Sequence, residues 1–232
     1  MQEILVLGAG KIGALISGLL DEICSYRVQL ADAMPDVAIS VARAHRLDAI
    51  SAFDLDASDK ESLTRHVREQ KPASLVSILP YFCNVGVAVV ARAEGLHYLD
   101  LTEDVAVTAW VRSIAVGAST AFVPQSGLAP GFISIAANEL IQHFDELRSV
   151  KLRVGALPQH PNNVLKYSLT WSTDGVINEY GNLCNAIVDG KDVDVLPLEG
   201  LESVSYTHLT LPTNTVTWGC RGGGGEGGGG GG

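Results

Sequence analysis

Short apolar runs and amphipathic stretches alternate along the first half of the chain. Residues 3–7, 27–31, 49–54, 74–78, 98–101 and 120–123 have the length and the apolar content of strands. Residues 12–22, 35–44 and 60–68 instead repeat apolar positions every three to four residues, the period of a helix with one buried face. Strand, helix, strand at this spacing implies parallel pairing through right-handed crossovers, so the expected class is α/β with a doubly wound parallel sheet.

The texture changes at Pro124, where residues 124–132 (PQSGLAPGF) read as a turn-rich connector. A helix over 133–144 and a strand over 149–155 are then expected to open a second domain, α/β or α+β, that covers the first. The organisation expected is one domain over 1–123, the start of a substrate and dimerisation domain over 124–203, and a separate tail over 204–232. In that tail, residues 204–213 (VSYTHLTLPT) resemble, residue for residue, the translation of a transposase-type sequencing adapter end. The last eleven residues are ten glycines and Glu226, as a run of GGG codons would give. On this reading 204–232 is a non-native, disordered tail, the second domain is cut short near Ser203, and the fragment itself is expected to be inactive.

Composition narrows the function classes. The formal charge is −10 with no clustered Lys and Arg, which argues against a nucleic-acid partner. With 47% hydrophobic and 18% charged residues, the 232-residue chain can bury a substantial core. No basic stretch precedes an apolar core at the N-terminus, and no run approaches the ~20 apolar residues of a membrane span. A cytoplasmic protein with no membrane partner is expected. The cysteines at 24, 83, 184 and 220 have no Cys-x-x-Cys spacing, so no metal site is indicated.

The densest chemical signal lies at the start. Gly8-Ala9-Gly10-Lys11-Ile12-Gly13 follows an apolar strand and opens a helix, the arrangement of a Rossmann dinucleotide loop. Gly8 permits the tight turn, Gly10 lets backbone approach the pyrophosphate, and Gly13 lets helix pack on strand. Asp32, at the end of the second strand, stands 19 residues beyond Gly13, where a carboxylate accepts from both ribose hydroxyls and repels a 2′-phosphate. Ala33 follows it rather than Arg, so the expected cofactor is NAD rather than NADP. Asp54, Leu55 and Asp56 end the third strand, on the adenine side, although plain solvation explains the two aspartates equally well. Leu79 and Pro80 end the fourth, on the nicotinamide side, since ligands lie outside the carboxyl ends of parallel strands.

Several segments resemble the saccharopine dehydrogenase family and, within it, lysine 6-dehydrogenase-like proteins. They are residues 8–13 (GAGKIG), 79–81 (LPY), 95–102 (GLHYLDLT) and 127–131 (GLAPG). More discriminating are 155–158 (GALP), 163–167 (NVLKY), 170–175 (TWSTDG) and 178–180 (NEY). The resemblance implies NAD(P)-dependent redox at a carbon bearing an amine, with an imine formed or reduced. It also implies a second domain that supplies the substrate pocket, an amino-acid substrate and a homodimeric full-length protein. In fungal-type saccharopine reductases the residue before the last glycine of Trp-Ser-x-x-Gly tends to be Arg. Asp174 stands there instead, which suits a substrate ammonium and so a lysine-like amino acid; capping of a helix near Gly175 is the alternative. Trp171 and Asn178, in the same stretch, are expected at the substrate.

Three residues are candidates for the chemistry. Tyr81 follows the fourth strand and is expected on the nicotinamide side of the pocket, with a core aromatic as the alternative. Asp100 ends the fifth strand, where a carboxylate accepts a proton or holds an amine; Glu103 and Asp104 behind it read as solvated surface. Lys166 lies where a cation meets a carboxylate or shuttles a proton, with an exposed lysine as the alternative. The expected activity is NAD-dependent oxidation at the C–N bond of a lysine-like amino acid. The alternatives are saccharopine or carboxynorspermidine reduction with NADP and, in another class, a non-catalytic dinucleotide-binding module. No Gly-x-Ser-x-Gly motif supports a hydrolase.

Overall fold

The computed structural model describes residues 1–44, 50–154 and 172–197. Its N-terminal part alternates β1 (Gln2–Leu7), α1 (Lys11–Glu22), β2 (Tyr26–Asp32), α2 (Pro35–Ala44), β3 (Ile50–Asp54) and α3 (Lys60–Gln70). It continues through β4 (Ser74–Ser77), α4 (Asn84–Glu94), β5 (His97–Asp100), α5 (Val105–Ala115) and β6 (Phe122–Val123). All pairings are parallel and the strand order is β3-β2-β1-β4-β5-β6, the doubly wound arrangement the alternating pattern predicts. The chain reverses direction across the sheet between β1 and β4, which opens a crevice at their carboxyl ends.

From Ile4 to Leu7 strand β1 is apolar without interruption because both its faces are covered there. Leu5 and Leu7 join a cluster with Leu63, Leu75, Val87, Tyr98 and Val111 beneath α3, α4 and α5. Ile4 and Val6 point the other way, into a cluster with Val28, Leu30 and Ala38 beneath α2. Two-sided burial of a parallel strand selects a continuous aliphatic run over alternation. Helices on the loop side start at designed caps: Asp59 accepts from the Glu61 amide at 3.0 Å, and Asp104 accepts from the Val107 amide at 2.6 Å.

Beyond the connector lie α6 (Phe132–Ile141), α7 (Thr173–Gly181) and an antiparallel hairpin of β7 (Cys184–Val188) and β8 (Lys191–Val195). The hairpin turns at Asp189-Gly190, both at positive φ (51° and 73°), the type I′ geometry that matches strand twist. Two sequence expectations need correction here. Helix α6 stops at Ile141 rather than at 144. Residues 149–154 form no strand, although Val150, Leu152 and Val154 alternate with charged residues; all three are about half exposed, and among the described residues no strand pairs with them. Alternation creates a strand only where a neighbouring ladder takes up its backbone groups.

Candidate functional site

The glycine loop divides its three glycines between two tasks. Gly8 has φ +99°, and a Cβ built on it lies 3.0 Å from the Ile78 carbonyl oxygen. A Cβ on Gly13 overlaps the Gly8 carbonyl oxygen, so α1 approaches β1 this closely only through glycine. Both residues serve the fold. Gly10 does not: its backbone is ordinary (φ −64°, ψ −171°), and a Cβ there meets no atom within 4 Å. The space in front of Gly10 is open at the point where α1 starts, and that start has no side-chain cap. Uncapped first-turn amides with the positive end of the helix dipole behind them form an anion site.

Asp32 completes the loop. Its Oδ2 accepts from the Ala9 amide at 2.7 Å and its Oδ1 from the Met34 amide at 2.8 Å. The carboxylate therefore fixes the loop to the end of β2 while each oxygen keeps lone-pair capacity for a further donor. Asp54 stands in register beside it on β3 and is exposed. Leu55 is a correction: its side chain is buried in the core, and only its amide reaches this edge, donating to the Asp32 carbonyl at 3.1 Å.

A cavity of about 350 Å³ opens from this loop. Gly10, Lys11 and Ile12 form one side, and Leu79, Pro80 and Tyr81 after β4 form the floor. Leu101, Thr102 and Glu103 after β5, with Ser172 and Gly175 of the α7 start, form the far side. Tyr81 is held by an edge contact with Phe82, ring centroids 5.6 Å apart. Ser77, also on the wall, donates to Asn84 Oδ1 at 2.7 Å, which anchors the start of α4 below the floor. Lys11, Ile12, Leu79, Pro80 and Tyr81 thus line one cavity.

The carboxylates are arranged differently from expectation. Asp100 is fully enclosed and absent from the cavity wall. Its Oδ2 accepts from the Tyr98 hydroxyl at 2.7 Å, and its Oδ1 from the Thr102 and Gln125 amides at 3.0 and 3.1 Å. Burial raises its pKa above 3.8 against the opposing pull of those hydrogen bonds. Burial, then the adjacent Asp100 charge, raises the Tyr98 phenol as well. A carboxylate with no exposed surface meets no substrate here; Asp100 fastens the connector to β5. Asp174 is exposed in the first turn of α7, off the cavity wall, and the cap of that helix is Ser172, whose Oγ accepts from the Gly175 amide at 3.2 Å. Asn178 is off the cavity wall too but touches a residue on it: its Nδ2 donates to Glu103 Oε1 at 3.2 Å. Lys166 and Trp171 lie outside the described residues. The sequence reading passed over Thr102 and set Glu103 down as solvated surface, yet both line the cavity; their signal was position, just past the carboxyl end of β5.

Residues 4–124 match the family model described as saccharopine dehydrogenase NADP binding domain, and residues 127–219 match saccharopine dehydrogenase C-terminal domain. The second match overlaps the stretch from 204 that reads as adapter-like. Over 200 residues the chain is 22% identical to mitochondrial alpha-aminoadipic semialdehyde synthase of Mus musculus, covering 84% of this chain and 21% of that protein. Among solved structures, apo saccharopine dehydrogenase (L-Glu forming) from Saccharomyces cerevisiae superposes with a TM-score of 0.61 at 21% identity, covering 84% of this chain and 44% of that one. The chain thus spans about a fifth of the first relative and under half of the second. Among the described residues no helix is long and apolar enough to cross a membrane.

Proposed function

Since the chain belongs to the saccharopine dehydrogenase family, we propose that it binds NAD along the glycine loop and serves oxidoreduction at the C–N bond of a lysine-like amino acid. The observation that carries the proposal is Gly10, a glycine that neither backbone conformation nor protein packing requires, facing open space at an uncapped helix start. A bound nicotinamide supplies the hydride acceptor or donor. The chain's own residues do the rest. The first amides of α1 and Lys11 would hold the pyrophosphate, and Asp32 the adenine-side ribose. Tyr81, on the cavity floor, is proposed to hold the proton that moves as amine and imine interconvert, with Lys166 as the second candidate. Asn178 and Trp171 are proposed on the substrate side.

The preference for NAD rests on Asp32, whose carboxylate faces a 2′-phosphate unfavourably, with Ala33 beside it. The matching family model is described as NADP-binding, which supports NADP as the second reading. Calorimetric titration with NAD+ and NADP+ separates the two. At least tenfold tighter NAD+ binding is expected, a tenfold preference for NADP+ overturns the role given to Asp32, and binding of neither overturns the dinucleotide site.

A further inference from the structure

We propose that Glu103 is the residue that selects substrate by charge, its carboxylate receiving an ammonium group of an amine-bearing substrate in the cavity beside Gly10. The inference rests on the proposed function and deepens it.

Four observations carry it. The first is place. Glu103 lies three residues past the end of β5 and shares the cavity wall with Gly10 and Tyr81, so a group bound to it lies beside a ligand held by the loop. The second is that the fold holds it there, through an amide donated from Asn178 on α7, 75 residues further along the chain. That partner orients the carboxylate and leaves its charge intact, because an amide is neutral. The third is the lack of a counter-ion: among the described residues Glu103 takes part in no ion pair. Instead a second carboxylate stands near it. Glu179 has its pKa raised first by burial and then by the Glu103 charge. A half-buried carboxylate with a like-charged neighbour and no cation is stabilised by any cation that enters. The fourth is elimination. Asp100 is enclosed by its own hydrogen bonds, and Asp174 lies off the cavity wall. Neither carboxylate the sequence offered to a substrate amine faces the cavity, whereas Glu103 does.

The test uses Glu103→Gln in the full chain, because glutamine keeps an oxygen that accepts from Asn178 and removes only the charge. Wild type and variant, each saturated with NAD+, are titrated calorimetrically with L-lysine and with hexanoate, a six-carbon acid without an amine. Wild type is expected to bind lysine at least tenfold tighter than hexanoate. The variant is expected to lose that preference tenfold or more, with hexanoate and NAD+ affinities within twofold of wild type. Glu103→Asp, which keeps the charge, is expected to recover preference relative to Glu103→Gln. Equal lysine affinity in wild type and Glu103→Gln overturns the inference, as does a wild type that binds NAD+ but no lysine. A parallel loss of NAD+ affinity in the variant also overturns it, since the carboxylate then faces the dinucleotide. Failure of wild type to bind NAD+ overturns the proposed function itself, a result distinct from the others.

Discussion

Replacing Gly10 with alanine separates ligand space from fold space. At this position a methyl group meets no protein atom within 4 Å, and the backbone already sits in a region open to every residue. Alanine is a poorer helix N-cap than glycine, which costs about 0.5–1 kcal/mol. Lower entropy of the unfolded chain returns about 0.4–1 kcal/mol. The two effects nearly cancel, so the urea midpoint should shift by no more than about 0.5 kcal/mol equivalent. Binding behaves otherwise. The methyl occupies the space through which a phosphate reaches the first amides of α1, and each charge-assisted bond lost costs about 1.5–3 kcal/mol. NAD+ affinity should fall about 10- to 100-fold, since tenfold corresponds to about 1.4 kcal/mol. Gly13→Ala supplies the contrast. Its methyl meets the Gly8 carbonyl, a backbone atom with nowhere to go, so helix and strand must separate at a cost of about 3 kcal/mol. Urea denaturation and calorimetric titration of both variants read the two effects independently. If Gly10→Ala binds NAD+ within twofold of wild type, or loses as much stability as Gly13→Ala, the division of labour drawn for this loop is wrong.

Two further outcomes follow from the buried polar groups. Tyr98→Phe removes a donor from an enclosed carboxylate and should cost about 1–3 kcal/mol by urea denaturation; a neutral result would mean that Asp100 finds another donor. Burial also lowers the pKa of His66, with the Glu69 charge opposing more weakly, so below its ordinary 6.5 the unfolded chain takes the proton more readily than the folded one. Its contribution is complete above about 6.5 and declines as pH falls through that value. The difference in urea midpoint between wild type and His66→Gln should therefore narrow from pH 7 to pH 5, and parallel curves would refute the assignment. Asp100, its pKa raised, carries the opposite sign: burying its charge costs more as pH rises past 3.8.

Much of the parallel sheet was legible because its determinants are local. The apolar runs at 3–7, 27–31 and 74–78 match β1, β2 and β4 to within a residue at each end, since two-sided burial writes itself directly into composition. The glycine motif was legible for a similar reason: Gly8 and Gly13 answer to φ and to a single backbone contact. The hairpin of β7 and β8 was missed although Asp189-Gly190 announced it, an acidic-glycine pair between two alternating runs. The carboxylates were hardest. Asp100 and Glu103 stand on the same edge three residues apart, and which one turns inward depends, beyond Tyr98 on the same strand face as Asp100, on Gln125 and Asn178, partners remote in sequence. No pattern of period two or 3.6 encodes such a choice.

The strand order also has a consequence during synthesis. Strand β1 is made first, yet it lies at the centre of the sheet and pairs with both β2 and β4. Its second neighbour is not complete until Ser77 has been added. At the usual ~5–20 residues per second, translation takes about 4–15 s to travel that far. For that interval β1, with its aliphatic run Ile4–Leu7, is outside the ribosome with at least one edge unpaired. The nascent chain is thus most vulnerable to misassociation early, and a holdase that recognises bare aliphatic strands would meet this protein through residues 2–7.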